Sequence, residues 1–193
     1  MMRSMRSVAG VALSILIAGL ACGGGAAVAC SYDGIASAAA LAKFRKATEV
    51  TAALRSPTAV LVVGPQAARP LPNMVGFHRA VRRLQGLREA LEQTVLERRL
   101  HAPAIALLLV ESGLWTRYIT DSEGVSIAVH VAGPQPSDVL VFTGEAVIEA
   151  IMSGRTSGDE AFRRGLIVVE GPASSAREAT ELLRTALAEL PAR

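Results

Sequence analysis

Cysteine is nearly absent from this chain, and the two present, Cys22 and Cys30, fall in neither a C-x-x-C nor a C-x-x-C-H arrangement. Haem attachment, a zinc cluster and a disulfide scaffold are therefore unsupported. Histidine is equally scarce: His78, His101 and His130 are scattered, without the H-E-x-x-H spacing that puts two imidazoles on one helix face, so no metal site is expected. A P-loop, a dinucleotide fingerprint and a G-x-S-x-G elbow are also missing, and with them go the usual grounds for naming a cofactor or a catalytic residue. Aromatic residues make up only 4% of the chain, so the 51% apolar content comes mainly from Ala, Val, Leu and Ile. Charge of one sign is lacking too, with 20 Lys and Arg against 17 Asp and Glu and a net +3. Nucleic-acid domains carry a stronger basic footprint than that, so no nucleic-acid partner is expected.

What is present begins at the N-terminus. Arg3 and Arg6 precede an apolar stretch from Val8 to Ala21, and a patch of small residues follows. This is the order of a secretion signal. A membrane-spanning helix needs about 20 apolar residues, and this run is broken at Gly23, Gly24 and Gly25. The sequence thus predicts a signal peptide over 1–29, cut near 21/22 or 29/30, and an exported protein that is periplasmic or envelope-anchored. Ala27-Val28-Ala29 makes an A-x-A site, whereas Gly19-Leu20-Ala21 before Cys22 resembles a lipoprotein processing site; Cys22 and Cys30 are both lipidation candidates. Loss of the leader removes Arg3 and Arg6 and lowers the formal charge from +3 to +1.

Residues 30–73 read as an extension and linker. Gly34 to Leu54 is Ala-rich and predicts a helix that Ser56 and Pro57 stop; the β-branched run Thr58 to Val63 predicts a strand or extended segment; Gly64 to Asn73 is rich in proline. Residues 74–193 then form the expected main domain. Asn73 is placed to cap a helix from Met74 to Leu100, with Phe77, Val81, Leu84, Leu87, Leu91 and Val95 as one apolar stripe. Arg79, Arg82, Arg83, Glu89, Glu92 and Glu97 fall largely off that stripe and read as a solvated face.

Beyond Pro103 the period changes. Ala104 to Glu111, Leu114 to Thr120, Val125 to Val131 and Asp138 to Phe142 read as strands, with Ser112-Gly113 and Asp121 to Gly124 as turns. Short helices follow over Glu145 to Gly154 and Asp159 to Arg164, then a strand at Leu166 to Glu170 and a last helix that Ser174 or Ser175 could cap. Trp115 and Tyr118 could mark the mouth of a site, though one Trp on a strand more often belongs to a core or an edge. Such an order implies an α+β fold: a five-stranded, mostly antiparallel sheet with helices packed on one face.

Within it, Asp138-Val-Leu-Val-Phe-Thr-Gly144, the apolar helix ending in Ser153-Gly154-Arg155, and Asp159-Glu-Ala-Phe-Arg-Arg-Gly165 leading to Leu166-Ile-Val-Val-Glu170-Gly171 stand in a recognisable order. This stretch resembles the second half of a sterol carrier protein type 2 domain. The resemblance covers residues 138–171 by residue pattern and about 104–190 by element order. It implies an apolar tunnel between helices and sheet holding a lipid, a sterol-like ring system or an isoprenoid or quinone. Ile148, Met152, Leu183 and Leu187 are the expected ligand-binding residues, and a membrane surface is a further candidate partner. The leader is not a feature of the familiar intracellular members. Two other readings stand beside a lipid carrier. One is a non-catalytic accessory module of the envelope. The other takes Glu111-Ser112-Gly113 as similar to the catalytic Glu-Ser of lytic transglycosylases, which need a carboxylic general acid; Pro103 leaves too few residues before Glu111 for the usual helix, so a hairpin turn is the preferred reading and no enzyme is expected.

Overall fold

The computed structural model describes residues 38, 41–64, 74–98, 102–122 and 124–190. The leader, both cysteines, the Asn73 cap and all of the linker after Gly64 lie outside the described residues.

Six helices of at least six residues and five strands follow one another among the described residues: α1 (Arg45–Leu54), α2 (Pro57–Val63), α3 (Met74–Arg98), β1 (Ile105–Leu109), β2 (Leu114–Asp121), β3 (Gly124–Val129), β4 (Val139–Thr143), α4 (Glu145–Met152), α5 (Gly158–Arg163), β5 (Ile167–Glu170) and α6 (Ala173–Glu189). The strands make one sheet in the order β3-β2-β1-β4-β5. β1 pairs antiparallel with β2, β2 with β3 and β4 with β5, while β1 and β4 run parallel. The fold is therefore α+β, and its mixed sheet is mostly antiparallel. β1 lies at the centre, and all five of its residues are buried, as expected of a strand covered on both faces.

Alternation along β2 separates the two faces. Tyr118 points toward α3, where its hydroxyl donates to the Leu84 carbonyl at 3.1 Å, and burial pushes its phenol far above the ordinary range. The stripe expected on α3 is what this face receives: Leu84, Leu87, Leu91 and Val95 are all buried. α6 packs beside α3 through Ala179, Leu182, Leu183, Ala186 and Leu187. Trp115 points to the other face and makes an aromatic trio with Phe44 and Phe142, at centroid distances of 5.4 Å from Phe44 and 6.3 Å from Phe142. α1, from the extension whose place the sequence left open, follows Phe44 on that second face and lies along β4 and β5.

Three local expectations change. The Ala-rich segment is not one helix through to Leu54, because Phe44 takes an extended conformation (φ −120°, ψ 110°) and turns its ring toward Trp115 and Phe142. Thr58 to Val63 is helix rather than strand: Ser56 accepts from the Ala59 N–H at 3.2 Å and Pro57 opens the first turn, so local capping outweighs β-branched propensity. The last helix starts at Ala173 after Pro172 without any side-chain cap, so neither Ser174 nor Ser175 has the role expected of it.

Candidate functional site

Met152 ends α4 and stands half-buried at a groove of about 440 Å³ enclosed by α3, the end of α4 and the end of α6. Its apolar lining is Val81, Gly86, Ala90, Met152 and Leu190. Arg82, Gln85, Glu89, Gln93 and Glu189 form the polar rim. Most of the α3 residues involved lie on a different side of that helix from Leu84, Leu87 and Leu91, which the sheet covers. A glycine sits at the floor of the groove: a Cβ added to Gly86 would come 3.0 Å from Met152 Cε, so the Met152 side chain lies directly against the α3 backbone here and would have to shift slightly to admit a larger residue. An internal helix glycine costs roughly 0.5–1 kcal/mol relative to alanine.

Several rim polar groups are already engaged. Thr94 Oγ1 donates to Glu189 Oε2 at 3.3 Å and Gln93 Nε2 to Glu97 Oε1 at 2.9 Å. Arg83 faces α4 instead of solvent: one guanidinium nitrogen bonds Glu145 and the other lies 2.6 Å from Glu149 Oε2, and its side chain is only 13% exposed. Of the charge run expected to be solvated, Arg83 alone turns to α4 and holds it, and so Met152, against α3. Arg82 and Glu89 are exposed at the groove edge.

The other three expected ligand residues are placed differently. Ile148, Leu183 and Leu187 are 2%, 2% and 5% exposed, belong to the packed core, and do not line this groove. Of the four expected residues only Met152 lines it. Gly86 was the signal available in the sequence, since an isolated glycine inside a helical pattern often marks a close packing contact. Trp115 and Tyr118 are core residues on opposite sheet faces.

Glu111, the residue weighed as a general acid, caps a helix. Its carboxylate accepts from Glu145 N at 2.9 Å and from Ala146 N at 3.5 Å, at the N-terminus of α4. Gly144, the N-cap residue, has no side chain to offer those donors. A Cβ there would meet Glu111 Oε1 at 2.6 Å, so the glycine leaves room for the borrowed cap. Burial raises the Glu111 pKa to about 7; N–H donors from Glu145, Glu111 itself and Ala146 act against this, and the Glu145 carboxylate adds to it. Such a value suits a general acid, but the carboxylate is occupied by the helix and Glu111 does not line the groove at Met152.

No protein-family model matches the chain. No curated protein matches it either. Two solved structures are similar to it. The first is a crystal structure of sterol carrier protein 2, with 19% identity and a TM-score of 0.38, covering 58% of this chain and 95% of the other. The second is a solution structure of a conserved hypothetical protein from Thermus thermophilus, described as a candidate sterol carrier protein, with 15% identity and a TM-score of 0.34, covering 58% of this chain and 91% of the other.

Proposed function

We propose that this chain is an exported lipid-binding protein that works by holding an apolar molecule and not by catalysis. The observation that carries this reading is the groove at Met152, of about 440 Å³, with an apolar floor and a polar rim. Its volume falls within the ~300–1,000 Å³ typical of small-molecule sites, and apolar floors with a few polar groups are their usual design. Methionine suits a ligand of variable shape, because it is unbranched and polarizable. The sequence pattern from Asp138 to Gly171 supports a lipid, sterol-like or isoprenoid ligand, and the leader pattern supports export with a mature N-terminus near Cys22 or Cys30.

Native mass spectrometry of protein purified from its own envelope tests both parts. The expected spectrum shows a chain lacking the leader and a co-purifying apolar mass; an intact Met1 would reject export. Binding of a fluorescent fatty acid or sterol analogue then separates groove from core. Met152→Ala should shift probe affinity with little change in melting temperature. Leu187→Ala should instead destabilise the fold, in the range of about 2–5 kcal/mol for a buried Leu truncation. A wild-type protein that carries no apolar mass and takes up no apolar probe rules out the lipid-binding reading.

A further inference from the structure

We propose that α2 and the arginines around it form a surface that docks on an anionic lipid bilayer. The surface is separate from the groove and stands on different residues. α2 has the sequence Pro-Thr-Ala-Val-Leu-Val-Val, with no charged side chain. Ala59 and Val63 are buried, which anchors one side of the helix, while Leu61 on the other side is 86% exposed. Leu61 is more open than Leu96 or Val75, the other large exposed apolar side chains among the described residues, at 62% and 61%.

One exposed leucine means little by itself. The charges around it supply the second observation. Arg155 Nη1 donates to the Val63 carbonyl at 3.2 Å, at the C-terminal end of α2, and Arg164 Nη1 reaches the Thr58 carbonyl at 3.5 Å near its start. Arg163, beside Arg164, has a side chain that is 73% exposed, and Arg55 is exposed just before the helix. The acids bound to these arginines are Glu149 and Glu160. Glu149 is shared between Arg83 and Arg155, and Glu160 between Arg163 and Arg164, so among the described residues positive charge exceeds negative around an uncharged apolar helix.

An apolar face ringed by cations fits the boundary between lipid headgroups and acyl chains, where the apolar side chains insert and the cations meet phosphate. Arginine suits that contact because its planar guanidinium matches phosphate oxygens with two donors. Leu61 would enter the acyl boundary while Arg55, Arg155 and Arg163 remain at headgroup level. Salt should weaken the docking, because surface attraction is screened within a Debye length.

The test reads position 61 directly, so attachment of the full chain through its leader does not imitate the result. Leu61→Trp places an indole at the apex of α2, while the native Trp115 is only 7% exposed and serves as the internal reference. With phosphatidylglycerol vesicles carrying brominated acyl chains, emission from the variant should shift to the blue and be quenched several-fold more than in the wild-type protein. Phosphatidylcholine vesicles or high salt should remove most of that difference, and adding Arg163→Glu should reduce it. A Trp at position 61 that keeps water-like emission while the protein is bound to anionic vesicles overturns the proposal, as does a protein that ignores those vesicles. Quenching that is equal with phosphatidylcholine also overturns it, because the arginines would then contribute nothing.

Discussion

Glu111 illustrates how a residue identified in the sequence can take a different role in the fold. In the chain it stands beside Ser112-Gly113 and reads as a turn residue; folded, it supplies the acceptor that Gly144 cannot give to α4. Nothing local in the sequence links positions 111 and 145, because the parallel pairing of β1 with β4 is what brings them together. Its raised pKa has a definite sign in stability. The folded protein holds the Glu111 proton up to about pH 7, whereas the unfolded chain releases it near the ordinary value of 4.5. Stability from this group is fully present below the unfolded value and is lost as the pH rises through the folded one. Glu111→Gln keeps an acceptor oxygen and removes the titration. Thermal melts should therefore show a smaller loss of stability between acidic and mildly alkaline buffer in the variant than in the wild type, and parallel profiles for the two would refute the assignment. Met152 differs in kind: its place at the end of an apolar helix is local, whereas the groove beside it is bounded by α3 and α6, segments distant in the sequence.

At the scale of elements, periodicity located most of the architecture. The α3 stripe, the four strands after Pro103 and the two short helices all fall within a few residues of their expected places, because each has one face that must be buried. α2 departs from this. Thr58 to Val63 has strand-like composition, yet Ser56 and Pro57 begin a helix, and Ala59 and Val63 share its buried side at a spacing of four. The cap is therefore the decisive local feature. Ser56→Ala should lower the unfolding free energy by about 1 kcal/mol in a denaturant titration. No change would mean that packing alone holds α2 helical. The break at Phe44 has another cause, since its extended backbone places the ring 5.4 Å from Trp115 and 5.7 Å from Phe142. No local propensity announces such a break, because the partners are more than seventy residues away.

Across the whole molecule, β2 and β4 flank β1, and a side-chain bridge also joins them. Arg117 on β2 pairs with Ala106 on β1, which pairs with Leu140 on β4, and the Arg117 guanidinium passes beyond that small residue to Asp138. Arg117 Nε lies 2.9 Å from both carboxylate oxygens, while Gln135 N donates to Asp138 Oδ2 at 2.8 Å. The Asp138 side chain is fully buried and that of Arg117 is 16% exposed. Removing one partner of a buried pair leaves an uncompensated charge, so Asp138→Ala should cost about 3–5 kcal/mol in chemical denaturation. Combining it with Arg117→Met should recover part of that loss, whereas a mild single effect would show that the pair is solvated. Asp138 was visible in the sequence only as the first residue of a family-like motif; its partner comes from the hairpin and the β1–β4 pairing. The sequence by itself determined the α+β class, the strand and helix order after Pro103 and the faces that must be buried, because these depend on composition and on periods of two and 3.6 residues. Tertiary structure alone decided that Ile148, Leu183 and Leu187 fill the core while Met152 borders a groove, that Glu111 caps α4, and that Arg83 faces inward. Each of those outcomes depends on which distant segment arrives opposite the side chain, and periodicity reports only that a face is buried, not what covers it.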